Sequence, residues 1–127
     1  MSDTPVIFSK ENSIASIVMN SPKTLNAIGF PMLDGLEAAL EKCFDEDIRA
    51  VVISAAGPAF CAGGDLPAAM EYGPSRWLLQ SVKKMNVIAS LIRKLPKPVV
   101  ASIHGHCFGV GMSLTMLCDI RIAAEST

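Results

Sequence analysis

The chain has 127 residues, half of them apolar and 18% charged, with a formal net charge of −1. That length holds one domain with a modest core, and near-neutral charge leaves no electrostatic footprint for nucleic acid or an anionic membrane surface. No apolar run of about 18 residues marks a membrane span, and the opening MSDTPVIFSKENS lacks the basic and apolar regions of a secretory leader.

In chain order, SIASIVMN (13–20) is β-branched and apolar and ends on the turn signal NSP, so it predicts a strand. From Phe30 to Phe44, Leu33, Leu36, Leu40 and Cys43 recur at steps of three and four. That is the stripe of an amphipathic helix. AVVIS (50–54) is a short continuous apolar run, as expected of a strand covered on both faces. AAGPAFCAGGDL reads as a loop, and 75–95 as a second helix with Leu78, Val82, Met85, Ala89 and Ile92 on its core face. KPVVASI (97–103) predicts another buried strand, HGHCFGVGMSLTMLC a glycine turn entering a third helix, and DIRIAA a last strand. Strands alternating with helices imply parallel pairing through right-handed crossovers, hence one α/β domain over 1–127.

Two glycine loops each follow a buried strand: Gly63-Gly64 after AVVIS, and GHCFGVG after VVASI. In open α/β sheets ligands bind beyond the carboxyl ends of strands. Glycine there lets backbone amides approach a ligand with no Cβ in the way. Two such loops on neighbouring strands can aim two amides at one oxygen and stabilise charge developing on a carbonyl. GHCFGVG has neither the GxGxxG spacing nor the GK[ST] ending of a phosphate loop.

NSPKTLNAI (20–28), AFCAGGDL (59–66), KPVVASIHGHCFGVGMSL (97–114) and CDIRIA (118–123) together resemble the successive motifs of the crotonase superfamily, the enoyl-CoA hydratases and isomerases. The resemblance runs from about residue 6 to 127 and implies part of a crotonase-like ββα spiral that holds an acyl-CoA thioester and stabilises its enolate with two backbone amides. By position the amides fall on Gly64 and Val110, inside FGVG. The implied substrate contacts fall on Lys23, Leu25 and Ala27, on Ala62, Asp65 and Leu66, and on Gly109. Coenzyme A is then part of the substrate, with no separate cofactor and no metal. The resemblance also implies homo-oligomers, trimers or dimers of trimers, for a full-length form.

Ser113 stands where typical hydratases of the superfamily carry a glutamate. A serine hydroxyl is too weak a base to activate water unaided, so the resemblance favours isomerisation over hydration, with a carboxylate supplied later in the fold. Superfamily members run to about twice this length, and the high apolar content and the uncovered last strand fit an N-terminal portion. The alternative is a non-catalytic acyl-CoA-binding or protein-interaction module.

Other residues read more plainly. His104, His106 and Cys107 offer too few ligands for zinc. Cys61 with His106 as base lacks a third orienting group. Asp65 is expected to cap the following helix, Asp119 to anchor a turn, and Ser113 to bond back to its own helix. Met70, Tyr72 and Trp77 lie in or beside the segment between the loops and are candidates for shaping the acyl pocket. Cys43, Cys61, Cys107 and Cys118 show no CxxC pair, which predicts reduced thiols in a cytoplasmic protein.

Overall fold

The computed structural model describes residues 4–127. Among the described residues, five strands form one sheet in the order β1-β2-β3-β4-β5. They are β1 (Val6–Glu11), β2 (Ile14–Met19), β3 (Ala50–Ala55), β4 (Val99–Ile103) and β5 (Ile120–Ala123). β2 through β5 pair in parallel, as the strand–helix alternation predicts. β1 departs from that reading, pairing antiparallel with β2 through a two-residue turn. Asn12 and Ser13 both take positive φ there, 53° and 67°, the conformation that matches the twist of a tight hairpin.

Four helices connect and cover the sheet: α1 (Phe30–Lys42), α2 (Leu66–Tyr72), α3 (Pro74–Lys94) and α4 (Val110–Leu117). α1 turns its predicted stripe inward, and Leu33, Leu36, Leu40 and Cys43 are fully buried against Ile17, Val51 and Ile53. α2 starts at the end of the stretch read as loop and runs through residues the sequence reading left unassigned. Asp65 caps it as expected, its Oδ1 accepting from Ala68 N at 3.2 Å. Asp119 anchors the start of β4, its Oδ2 accepting from Val99 N at 2.8 Å.

The face predicted for α3 is corrected by the structure. Ile92 is buried, but Leu78 and Val82 are 60% and 48% exposed, and the helix is held instead through Trp77, Ile88 and Ile92. Helical periodicity identifies an apolar face; whether that face meets a core or a cavity depends on what lies opposite. β5 is exposed along its whole length, with Ile122 at 62%.

Candidate active site

The loop after β3 is stitched on both sides. On one side Ile28 N donates to Gly63 O at 2.7 Å and Asp65 N to Ile28 O at 3.0 Å, a parallel bridge between Ile28 and Gly64. On the other, Cys61 N donates to His106 O and Phe108 N to Cys61 O, both at 3.0 Å, which bridges Cys61 to Cys107. The two glycine turns therefore meet. A Cβ on Gly109 would lie 3.7 Å from Gly63 Cα.

This stitching decides where the amides point. In a parallel bridge one residue makes both bonds, so the facing residue's own N–H turns away from that neighbour. Ile28 makes both, and the Gly64 amide is directed away from the 25–28 segment. Val110 is the first residue of α4, where a helix leaves its N–H groups without intrahelical partners. Gly109, which introduces it, has φ 55° and ψ −126°, a combination essentially confined to glycine. Gly64 and Val110 both line one cavity of about 510 Å³. Its wall is mainly aliphatic, supplied by Leu33 from α1, the exposed α3 face and Leu117. Trp77 closes one side, and a Cβ on Gly64 would come within 3.0 Å of its Cη2.

Ser113 lines the same cavity, with only a long 3.5 Å contact from its Oγ to Gly109 O. No aspartate or glutamate lines it among the described residues.

Of the remaining predicted contacts, Leu25, Ala27, Ala62 and Asp65 form a rim beside the Gly63-Gly64 turn. Ala62 N donates to Leu25 O at 3.0 Å, and Ala27 and Asp65 share a small cleft of about 130 Å³. Lys23 is exposed in a 3-10 turn (Pro22–Thr24), and Leu66 is 71% exposed; neither lines a described cavity. A residue with no chemical signature of its own holds this rim. Asn26, fully buried, accepts from Ser21 N at 2.7 Å through Oδ1 and donates through Nδ2 to Ala56 O and Ala59 O at 2.9 and 3.0 Å. Sequence reasoning missed it because its partners lie 30 and 33 positions away.

The Cys61–His106 pair does not form a nucleophile and base. Cys61 is fully buried, and its thiol is pushed up from 9.0 to about 11, chiefly by loss of solvation. His106 is exposed and stacks on Phe108 at 5.4 Å. His104 Nε2 is engaged with Gly57 O at 2.6 Å. Among the described residues no three His, Cys, Asp or Glu side chains group as metal ligands, and no helix is long and apolar enough to cross a membrane.

Cys43 and Cys118 share the upward shift of Cys61 to about 11, again led by burial. A thiol raised in the folded state stabilises fully below its unfolded pKa and loses that contribution as pH rises through the folded one. Stability is therefore expected to fall between pH 9 and about 11, and Cys43→Ala or Cys118→Ala to flatten that slope in denaturant titrations. A slope unchanged in both variants would contradict this assignment.

The α/β sheet brings two glycine turns together at the ends of neighbouring parallel strands. The enoyl-CoA hydratase/isomerase family matches residues 9–127, and the chain belongs to that family. It is 35% identical over 128 residues to YngF of Bacillus subtilis, given provisionally as an enoyl-CoA hydratase/isomerase, covering 99% of this chain and 49% of that protein. It is 32% identical to the mouse mitochondrial Δ(3,5)-Δ(2,4)-dienoyl-CoA isomerase, over 94% of this chain and 40% of that protein. The crystal structure of an enoyl-CoA hydratase from Thermoplasma volcanium superposes with a TM-score of 0.86 at 37% identity, covering 94% of this chain and 48% of that one. An enoyl-CoA hydratase/carnithine racemase from Magnetospirillum magneticum gives 0.90 at 31%, with 98% and 48% covered. The chain spans about half the length of these relatives.

Proposed function

We propose that the chain binds an acyl- or enoyl-CoA thioester, with the thioester oxygen between the Gly64 and Val110 amides and the acyl group in the 510 Å³ cavity. The observation that carries this reading is that Gly64 and Val110 line one apolar cavity and neither amide is committed to the loops' own bonds. As a carboxylate supplied later in the fold takes a proton from the carbon next to the thioester, the C–H electron pair passes to the oxygen as an enolate, and two fixed donors favour that state over the ground state. One such donor is worth on the order of 3 kcal/mol. Lys23, Leu25, Ala27, Ala62, Asp65, Leu66 and Gly109 are proposed to contact the CoA part or the thioester. No cofactor beyond that CoA is invoked.

Ser113 beside Val110 favours double-bond isomerisation over hydration, because one carboxylate supplied later in the fold can both remove and return the proton whereas a serine hydroxyl cannot activate water unaided; the cavity wall itself holds no carboxylate among the described residues. The same observation favours a second reading, in which these 127 residues bind acyl-CoA without turning it over. A reducing location such as the cytoplasm suits the free thiols of Cys43, Cys61, Cys107 and Cys118. Association into trimers or dimers of trimers is proposed for a full-length form.

Calorimetric titration with butyryl-CoA and free CoA tests the binding. Saturable binding that prefers the thioester is expected, and Gly109→Ala, which strains the turn that presents Val110, is expected to weaken that preference about tenfold or more. Equal affinity for both ligands would overturn the reading. Assays with crotonyl-CoA and 3-hexenoyl-CoA then separate the chemistries: hydration of the first by this chain would refute the role given to Ser113.

A further inference from the structure

α3 and α4 leave the site side by side. At their starts, Trp77 lies against Gly64, and Gly109, which introduces α4, lies against Gly63. At their ends, Leu117, the last residue of α4, shares a second cleft with Ile92 and Leu95 near the end of α3. The cavity that holds Gly64 and Val110 therefore runs between the two helices as an open groove, from the glycine turns to Leu117. One stripe of α3 lines it, formed by Leu78, Val82, Met85 and Ala89 at helical spacing.

Helical rise sets the length of this groove. At about 1.5 Å per residue, Val110 to Leu117 spans roughly 10 Å and Leu78 to Ala89 roughly 16 Å. An extended alkyl chain advances about 1.25 Å per carbon, given C–C bonds of about 1.5 Å. The walls thus run alongside about eight to twelve carbons. Their chemistry agrees with an alkyl occupant. Among the described residues no Lys, Arg, Asp or Glu lines the groove, whereas Arg93, Lys97 and Asp119 border the cleft beyond Leu117. A chain that outgrows the groove meets charged groups, and its further methylenes bury little surface. Leu78 and Val82 are 60% and 48% exposed, and because their stripe starts at the site of the two amides, the tail of the same ligand covers it. Ala89 is the smallest side chain of the stripe and stands at its far end.

Resting on the acyl-CoA reading above, we propose that this groove selects unbranched acyl chains of medium length, about eight to twelve carbons, and that Ala89 keeps its far end open.

Trp77 is the chain's single tryptophan and lies on the groove wall, so its fluorescence reports binding. The test titrates the 127-residue chain with free CoA and with butyryl-, octanoyl-, dodecanoyl- and hexadecanoyl-CoA, each below its micelle-forming concentration. Octanoyl-CoA is expected to bind at least about tenfold more tightly than butyryl-CoA, and hexadecanoyl-CoA at most about twofold more tightly than dodecanoyl-CoA. The readout in Ala89→Phe is the ratio of dodecanoyl to butyryl affinity, so a general loosening of the chain cancels. That ratio is expected to fall about threefold or more as the ring fills the far end. Phenylalanine is more apolar than alanine, so an unspecific greasy surface would instead gain affinity for the longer chain. Ala89→Leu, a smaller plug, serves if Ala89→Phe does not fold. Octanoyl-CoA binding no better than butyryl-CoA while both exceed free CoA, a rise that continues undiminished to hexadecanoyl-CoA, or a ratio that holds or grows in the Ala89 variants overturns the proposal. No acyl-CoA binding better than free CoA overturns the acyl-CoA reading itself, and this proposal with it.

Discussion

Replacing Asn26 by alanine is expected to destabilise the fold by about 3 kcal/mol and to lower its thermal midpoint by roughly 10 °C. The side chain is fully buried, and its removal leaves the Ser21 amide and the Ala56 and Ala59 carbonyls without their partners. A buried unmet group costs about 1–3 kcal/mol, and water entering the space recovers part of that. Asn26→Asp is expected to be no rescue, because a carboxylate cannot donate to the two carbonyls. The loss reaches the site, since Asn26 fixes the segment whose Leu25 and Ile28 brace the Gly64 loop. Thermal unfolding followed by circular dichroism measures it. A shift of only a degree or two would show that the three bonds are dispensable.

Gly105→Ala is expected to cost still more, about 4 kcal/mol, or to prevent folding. A Cβ there would sit 2.1 Å from Pro58 O and 3.1 Å from Ala59 Cα, and the residue has φ +64°. The left-handed conformation alone costs about 1 kcal/mol for alanine. The larger part is the clash, because it falls on backbone that no rotamer change can move. That backbone is pinned nearby by Phe60 N donating to His104 O at 2.8 Å. Denaturant titration is the check, and a midpoint close to the parent's would contradict the geometry.

The parallel frame was legible because β2, β3 and β4 are apolar runs bounded by turn residues, and α1 carries its stripe at helical spacing. β1 was not, because its burial is uneven and its turn is Asn12-Ser13, without the glycine that advertises a tight hairpin. α2 was not placed because it is short and directly follows Gly63-Gly64, which read as loop; Asp65 was read as a cap, and the helix it caps starts at Leu66. α3 shows a limit of periodicity, since the stripe through Leu78, Val82 and Met85 is real but faces a cavity. At the site, glycines at strand ends pointed to the two loops, and the resemblance to the crotonase superfamily singled out Gly64 and Val110 within them. Asn26 carried no such mark, because its importance lies in partners 30 and 33 positions along the chain.

The central claim is that two particular amides receive one thioester oxygen. At 13.5 kDa, the ¹⁵N-labelled chain suits residue-by-residue amide spectra during titration with butyryl-CoA and, separately, free CoA. The Gly64 and Val110 amide protons are predicted to move downfield together on adding butyryl-CoA and to stay in place with free CoA. Saturable butyryl-CoA binding that leaves both resonances where they were would contradict the account.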